Sequence, residues 1–139
     1  MSYNLAYPGI QVDSGINHAY EVTFIIALSP PGQNIMLGDN KCFFPAPFDF
    51  FLTGAHIDVR VAPTGAAIDV DINKNGASVL GANPMLIENG EYSSRTSSVP
   101  FTIATSGFSR FDSVTADIDQ AGSTFSGQDL VLSLYGIRK

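Results

Sequence analysis

The segment "DINKNG", which starts at Asp71, has the residue types of the first half of an EF-hand calcium loop. Such a loop needs oxygen ligands at positions 1, 3 and 5, a glycine at position 6 and a bidentate glutamate at position 12. Asp71, Asn73, Asn75 and Gly76 meet the first requirements, but position 12 is Ala82. The flanking segments alternate like strands, so the helices that would aim the ligands are not predicted. The match to a calcium loop is therefore incomplete.

The same residues fit a β-hairpin better. The pair Asn75-Gly76 readily takes the left-handed conformations of a type I′ turn, and it lies between the strand-like segments "AIDVDI" and "ASVL". We therefore predict a hairpin and no dedicated metal site. A weak cation site is a second interpretation if two neighbouring strands bring four carboxylates together, namely those of Asp69, Asp71, Asp117 and Asp119. Outward carboxylates of this kind are more often simply solvated.

Catalytic chemistry finds little support in the sequence. The only histidines are His18 and His56, and neither lies in a catalytic signature. A nucleophile–base arrangement needs a histidine close to a serine or cysteine together with an orienting carboxylate. The segment "TSGFSR" (105–110) completes no known motif of this type. The single cysteine, Cys42, is interpreted as a small buried apolar group. We predict a protein that is not an enzyme and that uses no cofactor.

The densest apolar segment is "CFFPAPFDFF", residues 42–51. It is typical of core filling at one end of a sandwich, and it is also typical of a subunit interface, where aromatic residues carry much of the binding energy. The side chains assigned to an interface are Phe43, Phe44, Phe48, Phe50 and Phe51. If that assignment holds, replacing Phe50 and Phe51 with serine abolishes oligomerisation and leaves the sandwich folded.

Charge and hydropathy limit the kinds of partner that the chain is expected to bind. It has 139 residues and a net charge of -6, and its seven lysines and arginines are scattered. A sequence-independent grip on nucleic acid needs clustered basic residues, so no nucleic-acid partner is expected. The longest apolar run, "FIIAL" (24–28), is far shorter than the ~20 residues that span a bilayer. The N-terminus also lacks the features of a secretory signal. We expect no membrane partner and a product made soluble in a cytoplasm.

Period-2 alternation dominates the chain and predicts strands. Ile57, Val59 and Val61 alternate with polar residues, and the segments "AIDVDI" and "SVTADID" repeat the pattern. Each such strand has one face on a core and one on solvent or a partner. Turns rich in proline and glycine separate the strands, as in antiparallel sheets. The predicted fold is all-β, a jelly-roll-like antiparallel β-sandwich with little or no helix.

The domain organisation is predicted in two parts. Residues 42–139 form the sandwich module, whereas residues 1–41 are less regular and form an N-terminal arm or the first strands. In the arm interpretation this segment orders against a neighbouring subunit, with Tyr3 and Tyr7 as anchors.

Residues 42–138 resemble a β-sandwich module of tailed-phage virion structural proteins. The likeness rests on four elements in order: a proline-phenylalanine opening (44–53), the "APTG…DINKNG" hairpin (62–76), the "DIDQAG" strand end (117–122) and a closing strand "GQDLVLSLYGIR" (127–138). The module is found in tail fibres and other virion structural proteins and generally lacks catalytic residues.

The resemblance implies a location in the virion and two classes of function. The first is a capsid decoration or cement protein, expected to be a homotrimer that binds the major capsid protein of the assembled shell. The alternative is a tail-fibre or tail-tip receptor-binding protein that recognises a host glycan, for example through the loop from Glu88 to Ser98. A depolymerase is a distant third because no paired acidic site is evident.

Overall fold

The computed structural model describes residues 20–139, and this part of the chain is all-β. This part of the chain contains a short 3₁₀ turn, Ser94–Thr96, between its strands. The strands are β1 (Glu21–Ala27), β2 (Gly38–Pro45), β3 (Phe50–Val61), β4 (Ile68–Lys74), β5 (Ala77–Ser78), β6 (Met85–Ile87), β7 (Gly107–Phe108), β8 (Ser113–Gln120) and β9 (Gln128–Arg138).

The strands form two antiparallel sheets that pack face to face. One sheet has the order β1-β9-β3-β7, and the other has the order β2-β8-β4-β5, with β6 also paired to β4. The pairs β1·β9, β2·β8, β3·β7 and β4·β5/β6 are those of one long two-stranded ribbon folded at its middle. Rolling that ribbon so that β9 meets β3 and β8 meets β4 produces the jelly roll. The predicted jelly-roll-like antiparallel sandwich is confirmed.

The first strand belongs to the sandwich. β1 pairs with β9 along its whole length, from Glu21↔Ile137 to Ala27↔Val131. The predicted boundary at residue 42 falls inside β2, and the sandwich includes β1, so the 1–41 part contributes first strands to the fold. Tyr3 and Tyr7 lie outside the described residues, and so does His18.

The core lies between the sheets and follows the alternation of the strands. Ile68, Val70 and Ile72 of β4 are fully buried, and they belong to the same core cluster as Leu130 and Leu132 of the opposite sheet. Burial of this apolar area is the main favourable term for folding. An aromatic cluster extends the core at one end, where the rings of Phe50 and Phe108 stack with centroids 4.8 Å apart.

The segment that matched half of a calcium loop is a hairpin, as predicted. β4 and β5 pair at Asn73↔Ser78 and Lys74↔Ala77, so Asn75 and Gly76 form a two-residue loop. Both have positive φ, 51° and 85°, as a type I′ turn requires.

Candidate functional site: two outer faces and an open edge

The candidate functional side chains lie mainly on two outer faces of the sandwich. The acidic face is the outer surface of the β2-β8-β4 sheet. The aromatic face is the outer surface of the β1-β9-β3 sheet. We define the acidic face by Asp39, Asp69, Asp71, Asp117 and Asp119, and the aromatic face by Ile25, Phe51, His56, Tyr135 and Ile137.

The four aspartates considered at the sequence level do lie on neighbouring strands. β4 and β8 pair with Asp71 opposite Asp117. The structure adds Asp39 of β2, because β2 is the other neighbour of β8. Carboxylate oxygens of Asp39, Asp117 and Asp119 all lie within 4.8 Å of one another. Nothing in the segment around Asp39 predicted this, since its position depends on the irregular register between Gly38 and Cys42.

Charge crowding on the acidic face disfavours ionisation. Burial raises the pKa of Asp69, and the charges of Asp119 and Asp71 raise it further. One carboxylate oxygen of Asp69, Oδ1, is buried without a hydrogen-bond partner in the described structure. Burial also raises the pKa of Asp119, with added repulsion from Asp117, Asp71 and Asp39. These are the two effects, desolvation and like charge, that favour a protonated carboxyl.

Two other carboxylates of the acidic face are held by hydrogen bonds. Asp117 accepts one from the backbone N–H of Asn40 at 2.8 Å and one from the Asn73 amide at 2.8 Å. The Ser78 hydroxyl donates to Asp71 at 2.6 Å. These contacts give both side chains a structural role. Chemically, the face offers oxygen ligands of the type that hard cations prefer, and it attracts any positively charged surface.

The aromatic face carries a hydrogen-bonded chain of three side chains. His56 and Asp58 are two residues apart on β3 and therefore point to the same side of the sheet. His56 Nδ1 lies 2.6 Å from Asp58 Oδ2, and His56 Nε2 lies 2.7 Å from the Tyr135 hydroxyl. Because a carboxylate only accepts, Nδ1 carries the proton in the neutral ring, and Nε2 accepts from Tyr135.

Asp58 is the fixed end of this chain. Burial opposes its ionisation, but hydrogen bonds from Ser93 and Arg95 and the adjacent His56 outweigh it, so the pKa of Asp58 lies below its usual value. The Arg95 guanidinium donates to Asp58 at 3.2 Å. Asp58 therefore ties the 3₁₀ turn to β3 and also orients His56 and, through it, the Tyr135 ring.

The sequence analysis assigned no role to Tyr135 and found no catalytic signature around His56. The two residues are 79 positions apart, so only the pairing of β3 with β9 brings them together. The alternation of "HID" on β3 was visible in the sequence, but the partner strand was not.

The predicted interface phenylalanines divide between core and surface. Phe50 is 1% exposed and lies in the core, so its assignment to an interface is wrong. Phe44 and Phe48 pack partly buried against the same core. Phe43 and Phe51 are 67% and 47% exposed. Neighbouring residues of a strand face opposite sides, which is why Phe50 and Phe51 have different environments.

A third feature is the edge of the sandwich formed by β1 and β2. Within residues 20–139, β1 pairs only with β9 and β2 only with β8, so both strands have one free backbone edge. Exposed apolar side chains surround this open edge: Ile25 on β1, Phe43 on β2, and Met36 and Leu37 in the connection between them. An apolar edge strand is a template for pairing with another chain.

Burial raises the pKa of the Cys42 thiol, and this half-buried group packs against the core. In the part of the chain that the structure describes, no helix is long and apolar enough to cross a membrane. Comparison of the chain with protein-family models, with curated proteins and with solved structures finds no match.

Proposed function

We propose that this chain is a tailed-phage virion structural protein that decorates the assembled capsid. The proposal rests on the resemblance of residues 42–138 to virion sandwich modules. The fold is compatible with it, because jelly rolls include viral capsid domains and lectin domains. A fold does not specify a function by itself, so the proposal also requires a surface through which the protein binds the capsid.

The open edge is the observation that carries the docking proposal. Ile25 on β1 is 71% exposed and Phe43 on β2 is 67% exposed. An unpaired strand edge flanked by exposed apolar side chains is a template for pairing with another chain. We assign this edge to contacts with neighbouring copies in a homotrimer and with the major capsid protein.

The mechanism would be mass action. A protein that binds the assembled shell and not its separated subunits stabilises the shell by an amount that grows with its free concentration. No group on the chain needs to react, and the acidic face remains free to meet basic residues of the shell.

The test is co-sedimentation of the purified protein with phage heads from which it has been stripped. We expect saturable binding that is lost in the double variant Ile25→Ser/Phe43→Ser, and also when residues 1–20 are deleted. Tyr92→Ser is the matched control, because Tyr92 is also well exposed but lies in the connection after β6, away from the open edge. Head binding that is absent in the wild type, or unchanged in the double variant, contradicts the proposal.

A second candidate function is recognition of a host glycan at the tail. It is favoured by the segment 88–98, where Tyr92 is 60% exposed beside Glu91. Glu88 accepts hydrogen bonds from the Ser98 backbone and from its hydroxyl, which close the segment into a defined loop. Binding to host cells is measured in parallel. Cell binding that Tyr92→Ser abolishes, without binding to heads, places the protein at the tail instead.

A further inference from the structure

A cleft on the aromatic face lies between two rows of side chains. In one row Thr23 of β1 pairs with Tyr135 of β9, and in the next Glu21 pairs with Ile137. On the β3 side the register with β9 shifts between Leu52 and Gly54, and the unpaired residue between them, Thr53, also lines the cleft. Irregularities of this kind include β-bulges, which often re-aim a side chain beside a functional site.

The lining combines one aromatic wall with several oxygen atoms. The Tyr135 ring forms the wall, and the polar side chains are those of Glu21, Thr23 and Thr53. All three polar residues are exposed. Within the described residues, these three side chains make no hydrogen bond to another protein group, so their oxygens are available to a ligand.

The aromatic wall is held in place before any ligand arrives. The Tyr135 hydroxyl donates to His56 Nε2 at 2.7 Å, and His56 is held in turn by Asp58 at 2.6 Å. A side chain fixed in this way loses less conformational entropy on binding. Its oxygen still has lone pairs that can accept a hydrogen bond.

We propose that this cleft binds a single sugar ring. Its volume is about 210 Å³, below the roughly 300 Å³ at which sites for drug-sized ligands begin. The apolar C–H face of a pyranose would pack on the Tyr135 ring. Its hydroxyls would donate to Glu21 and exchange hydrogen bonds with Thr23 and Thr53. A polyhydroxylated ring matches this lining because it presents an apolar face and several donors at once.

This inference does not depend on capsid decoration. The cleft and the docking surface share strand β1, but Ile25 and Phe43, whose replacement tests docking, do not line the cleft. The cleft also differs from the 88–98 loop, which lies beyond the other side of β3, where Ser93 bridges to Asp58. A failure of head binding and a failure of sugar binding are therefore separate results.

The experiment is an NMR titration of the full chain with four separate monosaccharides: glucose, galactose, mannose and N-acetylglucosamine. We expect saturable shifts with at least one of them, in the millimolar range, centred on the amides of Thr23, Thr53 and Tyr135. Tyr135→Ala should weaken binding at least tenfold. Tyr135→Phe keeps the ring, so it should weaken binding less than Tyr135→Ala does.

The controls separate this cleft from other aromatic sites and from unfolding. Phe111→Ala should leave the titration unchanged, because Phe111 is 72% exposed in the connection between β7 and β8 and does not line the cleft. The spectrum of each variant reports whether it is folded. If Tyr135→Ala does not fold, Glu21→Gln/Thr53→Val tests the same cleft from its polar side and should weaken binding at least tenfold. Absence of saturable shifts with all four sugars, or equal binding by the cleft variants, overturns the proposal. Loss of binding in Tyr92→Ala but not in the cleft variants also overturns it, because that result moves the sugar to the 88–98 loop.

Discussion

The two outer faces of the sandwich follow the same strand alternation, but the pKa values of their carboxyl groups shift in opposite directions. On the aromatic face, Asp58 is paired with His56 and Arg95, and its pKa is lowered. On the acidic face, Asp69 and Asp119 meet other carboxylates, and their pKa values are raised. One face uses its charges to order side chains around Tyr135, and the other retains charge repulsion at neutral pH.

The difference shows how a common fold can carry surfaces with different uses. Inward residues of both sheets are constrained by the core, so they are similar in type. Outward residues are constrained only by their cross-strand neighbours. A neutralised, ordered face suits recognition of a small ligand, whereas a repulsive face is stabilised whenever positive charge approaches it.

The largest expected effect concerns the core side of the β1-β9-β3 sheet, opposite the aromatic face. Phe50→Ala should lower the free energy of unfolding by about 3–5 kcal/mol, because it leaves a cavity against Phe108 and Phe24. Phe51→Ala, one residue further on, should lower it far less, since Phe51 is 47% exposed. Urea denaturation of both variants measures the difference. Equal losses would show that Phe51 is also part of the packed interior.

This expectation replaces the earlier one for the Phe50/Phe51 double serine variant. That variant should lose its fold, not only its oligomeric state, because a serine hydroxyl at position 50 would be buried in an apolar cluster. The single variant Phe51→Ser is therefore the appropriate probe of an interface on this face.

The second-largest loss of stability is expected when the charge pairing of the aromatic face is broken. Asp58→Asn should lower the free energy of unfolding by about 1–2 kcal/mol at pH 7, because it weakens the hydrogen bonds from His56 and Arg95. The folded-state pKa of Asp58 lies below its usual 3.8. The stability that ionised Asp58 contributes is therefore fully present above pH 3.8 and is lost as the pH falls through the folded-state pKa.

Denaturation curves at pH 7 and at acidic pH measure this contribution. The gap between wild type and Asp58→Asn should close in acid. Glu91→Gln is a control for loss of a carboxylate near the same loop. A gap that stays constant with pH would mean that the variant acts through packing and not through charge.

The smallest expected effect is a gain in stability, obtained by removing one negative charge from the acidic face. Asp69→Asn should raise the free energy of unfolding at pH 7 by less than about 1 kcal/mol, because solvent screens the partly exposed carboxylate. The folded-state pKa of Asp69 is raised above 3.8. The wild-type penalty therefore appears as the pH rises through the folded-state pKa and is absent below 3.8.

Salt provides an independent measurement of the same repulsion. Raising ionic strength should stabilise the wild type more than Asp69→Asn, since screening weakens charge repulsion that the variant has already reduced. Asp112→Asn serves as the control, because hydrogen bonds from Asn75 and Ser109 lower the pKa of that carboxyl. A loss of stability in Asp69→Asn at pH 7 would show that the acidic face is not under repulsion.

Much of the fold was predictable from local patterns. Alternation in β3, β4 and β8 identified the strands and their buried faces, and Asn75-Gly76 identified the hairpin. These features depend on a period of two residues and on the φ values that a short loop demands. Both are local, so a single sequence contains the necessary information.

The candidate sites were predictable only in part. The four aspartates of β4 and β8 were grouped correctly because both strands repeat the same alternation. Asp39 was missed, since an irregular stretch of β2 places it there. The 42–51 segment was identified as apolar, but its composition could not show that Phe50 points inward and Phe51 outward.

The sequence by itself determined that the chain forms antiparallel strands with one buried face each, and where its tightest turn lies. Only the tertiary structure decided which strands become neighbours. That choice brought His56 beside Tyr135, grouped Asp39 with Asp117 and, within residues 20–139, left β1 and β2 each with one unpaired edge. The physical reason is that alternation specifies which side of a strand is buried, whereas pairing depends on how the whole ribbon rolls up to close one core.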